Sequence, residues 1–189
     1  MAEPDATPVT EAAGTVSMAR PGVRFLVSHP AHALALGFGS GLSRVAPGTV
    51  GTAWAWIAFL ALQQWLTPWQ LGWAVILSFP VGWWACTVCA RDMGVRDPGS
   101  IVWDEIAAFW LVLWLMMPAG WLAQLIAFAL FRYFDAAKPG PVGWADRLFH
   151  GVEPSQDRHA WQKAGLGIML DDLVAAACTL LLIAAWRWW

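Results

Sequence analysis

Two adjacent carboxylates, Asp104 and Glu105, stand near the start of the apolar run IVWDEIAAFWLVLWLMM (101–117), and a second pair, Asp171 and Asp172, stands inside GLGIMLDDLVAAACTLLLIAAW. Between them FRYFDAAKPGPVGWADRLFHG (131–151) interleaves Arg132, Asp135, Lys138, Asp146, Arg147 and His150. Neighbours on a helix point about 100° apart, because a turn takes 3.6 residues. Asp104 and Glu105 therefore cannot share one narrow stripe, and at least one is expected to face a bundle interior. A carboxylate at the centre of a membrane span costs roughly 2.5–3.5 kcal/mol on the insertion scale, less near the interface. Capping by Ser100 and the positive end of the helix dipole account for one acidic residue in the first turn; a pair, repeated, asks for more.

Two acidic pairs at similar depth, with Asp135 and Asp146, offer oxygen ligands to a hard divalent cation such as Mg²⁺, which takes one or two carboxylates together with a substrate phosphate. Arg132, Lys138 and Arg147 have the chemistry to hold that phosphate, arginine in bidentate fashion. A fourth cluster, the Gly-rich GFGSGLSRVAPGTVGT (37–52), runs into a helix at Pro47 and carries Ser40, Gly41, Ser43, Gly48 and Thr49. It reads either as an anion cradle of backbone N–H groups or as a capped helix start. Interhelical salt bridges and interfacial anchoring compete for the charged residues. The set as a whole favours Mg²⁺-dependent chemistry on a phosphorylated, membrane-resident substrate, with a small cation transporter or channel as the competing reading.

The elements that must position these groups follow from composition. The 189 residues are 59% hydrophobic and 13% charged with sixteen Trp, and the mean hydropathy is +0.53, so the expected class is an all-α polytopic membrane bundle. The net charge of −2 and the lack of a basic run interleaved with aromatics exclude a nucleic-acid partner. Five candidate spans are expected, at 49–66, 70–90, 101–117, 121–136 and 166–186, the third and fourth short for full crossings of a roughly 30 Å hydrocarbon core and able instead to form a hairpin that enters and leaves from one face. Pro and Gly at 67–70 and 117–121 close helical hairpins between them. Residues 1–24 read as a mobile tail ahead of a single membrane domain, 25–189. With the N-terminus inside, every Lys and Arg except Arg187 falls on the cytoplasmic side, so the four to five helices are expected to carry a site on that face. Cys86 and Cys89 lie in an apolar stretch without a second pair or nearby His, and are expected to pack inside a helix. The Trp residues near span ends read as an interfacial belt with no catalytic role.

The four blocks GFGSGLSRVAPGTVGT, IVWDEIAAFW, FRYFDAAKPGPVGWADRLFHG and GIMLDDLVAA, in that order, resemble the signature blocks of the phosphatidylglycerophosphatase A family of bacterial membrane enzymes, over about residues 36–180. The resemblance implies Mg²⁺-dependent hydrolysis of phosphatidylglycerophosphate to phosphatidylglycerol and phosphate at the cytoplasmic (inner) membrane, within phospholipid synthesis. It carries functional roles to Asp104, Glu105, Asp135, Lys138, Asp146, Asp171 and Asp172. Asp104, Glu105, Asp171 and Asp172 are the expected metal ligands, and Asp104, Glu105, Asp135 and Asp172 the expected catalytic group. Arg132, Lys138, Arg147, Ser40, Gly41, Gly48 and Thr49 are assigned to phosphate, with Asp146 and His150 in support. The chain departs from the pattern by a polar insert, VEPSQDRHAWQKA (152–164), expected to form a surface loop, and neither His159 nor Lys163 within it is assigned a catalytic role.

The expected reaction is direct attack of a Mg²⁺-activated water on the terminal phosphorus, with Asp172 or Glu105 orienting or deprotonating it and Lys138 offsetting oxygen charge. A covalent aspartyl-phosphate is the alternative. The chain has neither the Ser-Gly-His element of a histidine-dependent lipid phosphatase nor the Asp-Gly pattern of a CDP-alcohol phosphotransferase.

Overall fold

A computed structural model describes residues 20–148 and 159–188. Every regular element among them is helical: α1 (Val23–Ser28), α2 (Pro30–Ala35), a 3-10 segment (Gly37–Leu42), α3 (Pro47–Leu62), α4 (Pro68–Met93), α5 (Trp103–Leu115), α6 (Trp121–Ala137), α7 (Pro141–Arg147) and α8 (Ala160–Trp188). Residues 1–19 of the expected tail, His150 and residues 152–158 of the insert lie outside the described residues.

α4 and α8 are the two helices long and apolar enough to cross a membrane, with α3 a shorter apolar helix. At 1.5 Å per residue, α4's 26 residues reach about 39 Å, whereas the 13 residues of α5 reach only about 20 Å. The apolar run that carries the first acidic pair is thus the shortest of the long helices, and it is enclosed by protein. α5 packs against α3, α4, α6 and α8, and nine of its residues are buried, Glu105 among them. Three indoles fix it there. Trp103 Nε1 donates to Ser78 O at 3.0 Å, Trp110 Nε1 to Ala55 O at 2.8 Å and Trp114 Nε1 to Pro68 O at 3.0 Å. Trp103 lies where a Cβ on Gly82 would stand, so that glycine lets α4 and α5 approach. Trp65, Trp69, Trp121 and Trp186 are exposed at turns and a helix end, and Trp73, Trp83 and Trp84 along α4 and Trp144 on α7 are exposed as well.

Helix ends follow the expected chemistry with one exception. Pro47 opens α3 and Pro141 opens α7, and Thr67 with Gln70 forms a capping box on α4. Gly94 ends α4 in the left-handed region at φ 66°. The exception is Ser100: the N-cap of α5 is Val102, which has no side-chain cap, and the Ser100 hydroxyl lies 4.0 Å from Met93 Sδ instead. Boundaries also shift. α3 stops at Leu62, short of the expected 66, and α8 begins at Ala160 rather than 166, which makes the last residues of the polar insert helical. Ala160 and Ala164 are buried there, so apolar contact outweighs the polar neighbours. Cys86 and Cys89 are free and buried within α4, as expected.

Candidate active site

The first turn of α5 supplies Asp104 and Glu105, and α8 supplies Asp172. One oxygen from each lies within 4.8 Å of the others. Glu105 is 8% and Asp172 2% exposed. Asp104 Oδ1, Glu105 Oε2 and Asp172 Oδ1 are buried and accept no hydrogen bond. Buried polar atoms are nearly always paired, and three mutually repelling acceptors with no donor between them would be expensive to hold. Their oxygens, all hard and all converging, fit a divalent cation.

Two cations flank this triad, Arg132 touching it through Glu105 and Lys138 holding the neighbouring Asp171. Arg132 of α6 pairs with Asp135 one turn on, reaches Glu105 Oε1 at 3.5 Å and lies 3.5 Å from Thr52 Oγ1. Asp135 is in turn within electrostatic reach of Glu105 and Asp172. Lys138, in the left-handed region at φ 45° where α6 ends, donates to Asp146 of α7 and to Asp171 Oδ2 at 2.6 Å. Burial alone would push the Lys138 ammonium down, but its hydrogen bonds to Asp146 and Asp171 outweigh that and push it above the ordinary lysine value. It is a fixed positive charge at any physiological pH.

The second acidic pair is therefore divided: Asp172 joins Asp104 and Glu105, while Asp171 turns to Lys138 and keeps Oδ1 buried without a partner. The 100° step between neighbours is what sends them to different walls. On the α3 side, Thr52 Oγ1 donates to Gly48 O at 2.8 Å, and a Cβ on Gly48 would fall on Glu105 Oε1 and within 2.9 Å of Arg132 Nη2. The helix N-terminus expected to meet an anion meets the Glu105 carboxylate.

The other expected phosphate ligands make local contacts or face solvent. Ser40 Oγ donates to Gly37 O at 2.9 Å, Ser43 Oγ to Val45 O, and Gly41 backs onto the Ser100 carbonyl. Thr49 and Arg147 are exposed on α3 and α7. Two residues not singled out from the sequence line the site's edge. Arg96 and Asp97, in the loop after α4, share a cavity of about 90 Å³ with Asp146 and Asp171. The signal for them was an Arg-Asp pair in the polar connection just ahead of Asp104.

Residues 33–187 match the family model described as phosphatidylglycerophosphatase A. The chain is 43% identical over 153 residues to phosphatidylglycerophosphatase A of Escherichia coli K12, covering 80% of each chain. It is 37% identical over 161 residues to the protein of that name from Haemophilus influenzae, covering 85% of this chain and 91% of the relative. A Bacteroides thetaiotaomicron protein with a provisional phosphatidylinositol-3-phosphatase name is 36% identical over 159 residues, 80% of this chain and 90% of its own. No solved structure matches the chain. With a match spanning all four sequence blocks and the helices that bring their carboxylates together, the chain belongs to the phosphatidylglycerophosphatase A family.

Proposed function

We propose that this protein hydrolyses the terminal phosphomonoester of phosphatidylglycerophosphate to phosphatidylglycerol and phosphate in phospholipid synthesis, using Mg²⁺ held by Asp104, Glu105 and Asp172. The observation that carries the reading is the convergent triad with a buried, unpartnered oxygen on each member, in a chain whose relatives carry that enzyme's name. A bound divalent cation supplies positive charge for the phosphoryl oxygens and lowers the pKa of water. The protein's own share is positional. Arg132 fixes the outer oxygen of Glu105 and, with Lys138, contributes positive field next to the reacting phosphate. Water adds to phosphorus as the bond to the glycerol oxygen breaks, a triad carboxylate oxygen, Glu105 or Asp172, takes the proton from water, and the departing glycerol oxygen ends protonated.

The site sits where α3 and α5 begin and α6 ends, all on one side of the bundle. This supports a multi-pass arrangement with that face in the cytoplasm, where Lys and Arg concentrate, and with lipid tails against the apolar helices. α4 and α8 cross fully; α3 and α6, at 16 and 17 residues, span with snorkelling ends or local thinning; α5 is the enclosed centre. The cation-pathway reading loses its footing, since its acidic residues would line a route and here they gather at one level. The test is purified protein in mixed micelles with phosphatidylglycerophosphate, products identified by mass spectrometry. Formation of phosphatidylglycerol with equimolar phosphate is expected, and well-folded protein that leaves the lipid intact would refute the assignment.

A further inference from the structure

Between Glu11 and Asp92 the sequence has no Asp or Glu, yet it places Arg20, Arg24 and Arg44 ahead of α3. All three are exposed. None pairs with a carboxylate among the described residues, whereas Arg91, Arg132 and Lys138 each do. Asp92 is taken by His32 and Arg91. Asp97 is the single acid on a cavity of about 350 Å³ that Arg20 and Arg44 edge, one negative charge against two, so the surface stays positive. Apolar side chains are interleaved with these guanidiniums. α1 turns Phe25 and Leu26 toward the protein, Phe25 stacking on the buried His32 with ring centroids 4.0 Å apart and Leu26 lying against Gly39. Its other face carries Val23, Arg24 and Val27, the valines 67% and 73% exposed. Arg20 Nη1 donates to the Arg44 carbonyl at 3.3 Å, which ties the start of α1 to the loop where Val45 stands 78% exposed.

The depth of this unit is fixed at both ends. His32 of α2 reaches Asp92 in the last turn of α4 at 2.9 Å, and Val45 stands two residues ahead of Pro47, which opens α3. A single exposed valine needs no explanation. Three of them among three guanidiniums without carboxylate partners, level with the ends of two apolar helices, have the make-up of an interfacial surface. The valines sink to the acyl boundary while the arginines stay among headgroup phosphates. Resting on the membrane placement proposed above and not on the phosphatase activity, we propose that α1 and the loop 43–46 dock on an anionic lipid leaflet, held by Arg20, Arg24 and Arg44. Charge complementarity selects the occupant: a basic surface next to a bilayer is attracted to anionic headgroups and gains little from zwitterionic ones.

The test uses full-length protein in a Cys178→Ala background, Cys86 and Cys89 being buried, with one spin label at Val27→Cys, Val45→Cys or Ile57→Cys. The protein is placed in nanodiscs of phosphatidylcholine alone or of phosphatidylcholine mixed with phosphatidylserine. Collision rates with oxygen and with a water-soluble nickel chelate report whether each label lies in lipid or in water. Phosphatidylserine is expected to raise the lipid-side population at Val27 and Val45 by at least about fivefold, the worth of one basic residue at an anionic surface. Arg24→Gln and Arg44→Gln each lower it by about fivefold, and the triple variant with Arg20→Gln as well brings the two disc types within about twofold of each other. High salt acts in the same direction. Ile57, 71% exposed on α3, stays open to oxygen throughout and reports that the variants are folded and inserted. Labels at Val27 and Val45 that meet nickel equally in both disc types, or a phosphatidylserine effect that survives the triple variant, overturn the inference. So does dipolar broadening at Val27, which would make the surface a contact between two copies. Nickel access at Ile57 in otherwise unaltered protein refutes the membrane placement itself and the dock with it.

Discussion

Gly48→Ala separates the demands of the helix from those of the site. On helix propensity alone, replacing a helical glycine by alanine stabilises by up to about 1 kcal/mol. At Gly48 the added methyl meets Glu105 Oε1 at less than contact distance and the two terminal Arg132 nitrogens at 2.9 and 3.0 Å. The carboxylate and guanidinium must both move, and they are the pair that aligns one third of the triad. A shift of about 1 Å in a positioned group can cost on the order of a hundredfold in rate, so kcat/KM for phosphate release should fall about tenfold to a hundredfold while the melting temperature stays level or rises. Thermal unfolding and steady-state phosphate release on the same preparation measure both. A variant that gains stability and keeps kcat/KM within about twofold of wild type would refute the claim.

Dividing the acidic pair has its own consequence: Asp172→Asn should lower kcat by at least about a hundredfold, whereas Asp171→Asn, which touches the bracing and not the triad, should cost roughly tenfold; steady-state assays at saturating Mg²⁺ check the order. Lys138→Met leaves Asp146 and Asp171 without their cation and should destabilise by about 1–3 kcal/mol, below the roughly 3–5 kcal/mol of a fully buried pair because the lysine side chain is 31% exposed. The folded-state pKa of Lys138 is raised, so its contribution is complete below the unfolded lysine value of about 10.4 and fades only as pH climbs through the folded one. The stability gap between wild type and Lys138→Met, read by denaturant unfolding, should therefore be flat from about pH 7 to 9. Trp110→Phe removes the donor to the Ala55 carbonyl and should cost about 1 kcal/mol in the same assay, without the loss of activity expected of the site variants.

Where the pattern in the chain was strong, the fold was legible. Pro47, the Thr67 to Gln70 turn and the Pro-Gly break after Met117 mark real helix ends, and the apolar runs they bound became α3 to α6 and α8. Asp104, Glu105 and Asp172 stood out because a carboxylate in an apolar run has to be explained. What resisted was whatever depends on long-range packing. Hydropathy cannot distinguish a lipid-facing span from an enclosed one, so the apolar run at 101–117 gave no sign that α5 is the bundle's packed centre. α1, α2 and α7 have six or seven residues, too few for periodicity to register. The division of Asp171 from Asp172 is set by which helices pack beside α8. Arg96 and Asp97 passed as ordinary loop charges because nothing local says that their loop borders Asp171.

The central claim, that Asp104, Glu105 and Asp172 form a divalent-cation site that drives phosphomonoester hydrolysis, is tested most directly by phosphate release from phosphatidylglycerophosphate titrated with Mg²⁺ after chelation, for wild type and Asp172→Asn side by side. The expected result is no release from chelated wild type, saturable restoration by Mg²⁺, and an Asp172→Asn curve that is shifted to higher Mg²⁺ or does not recover. Full activity in chelated protein, or a Mg²⁺ dependence identical in the two proteins, would contradict it.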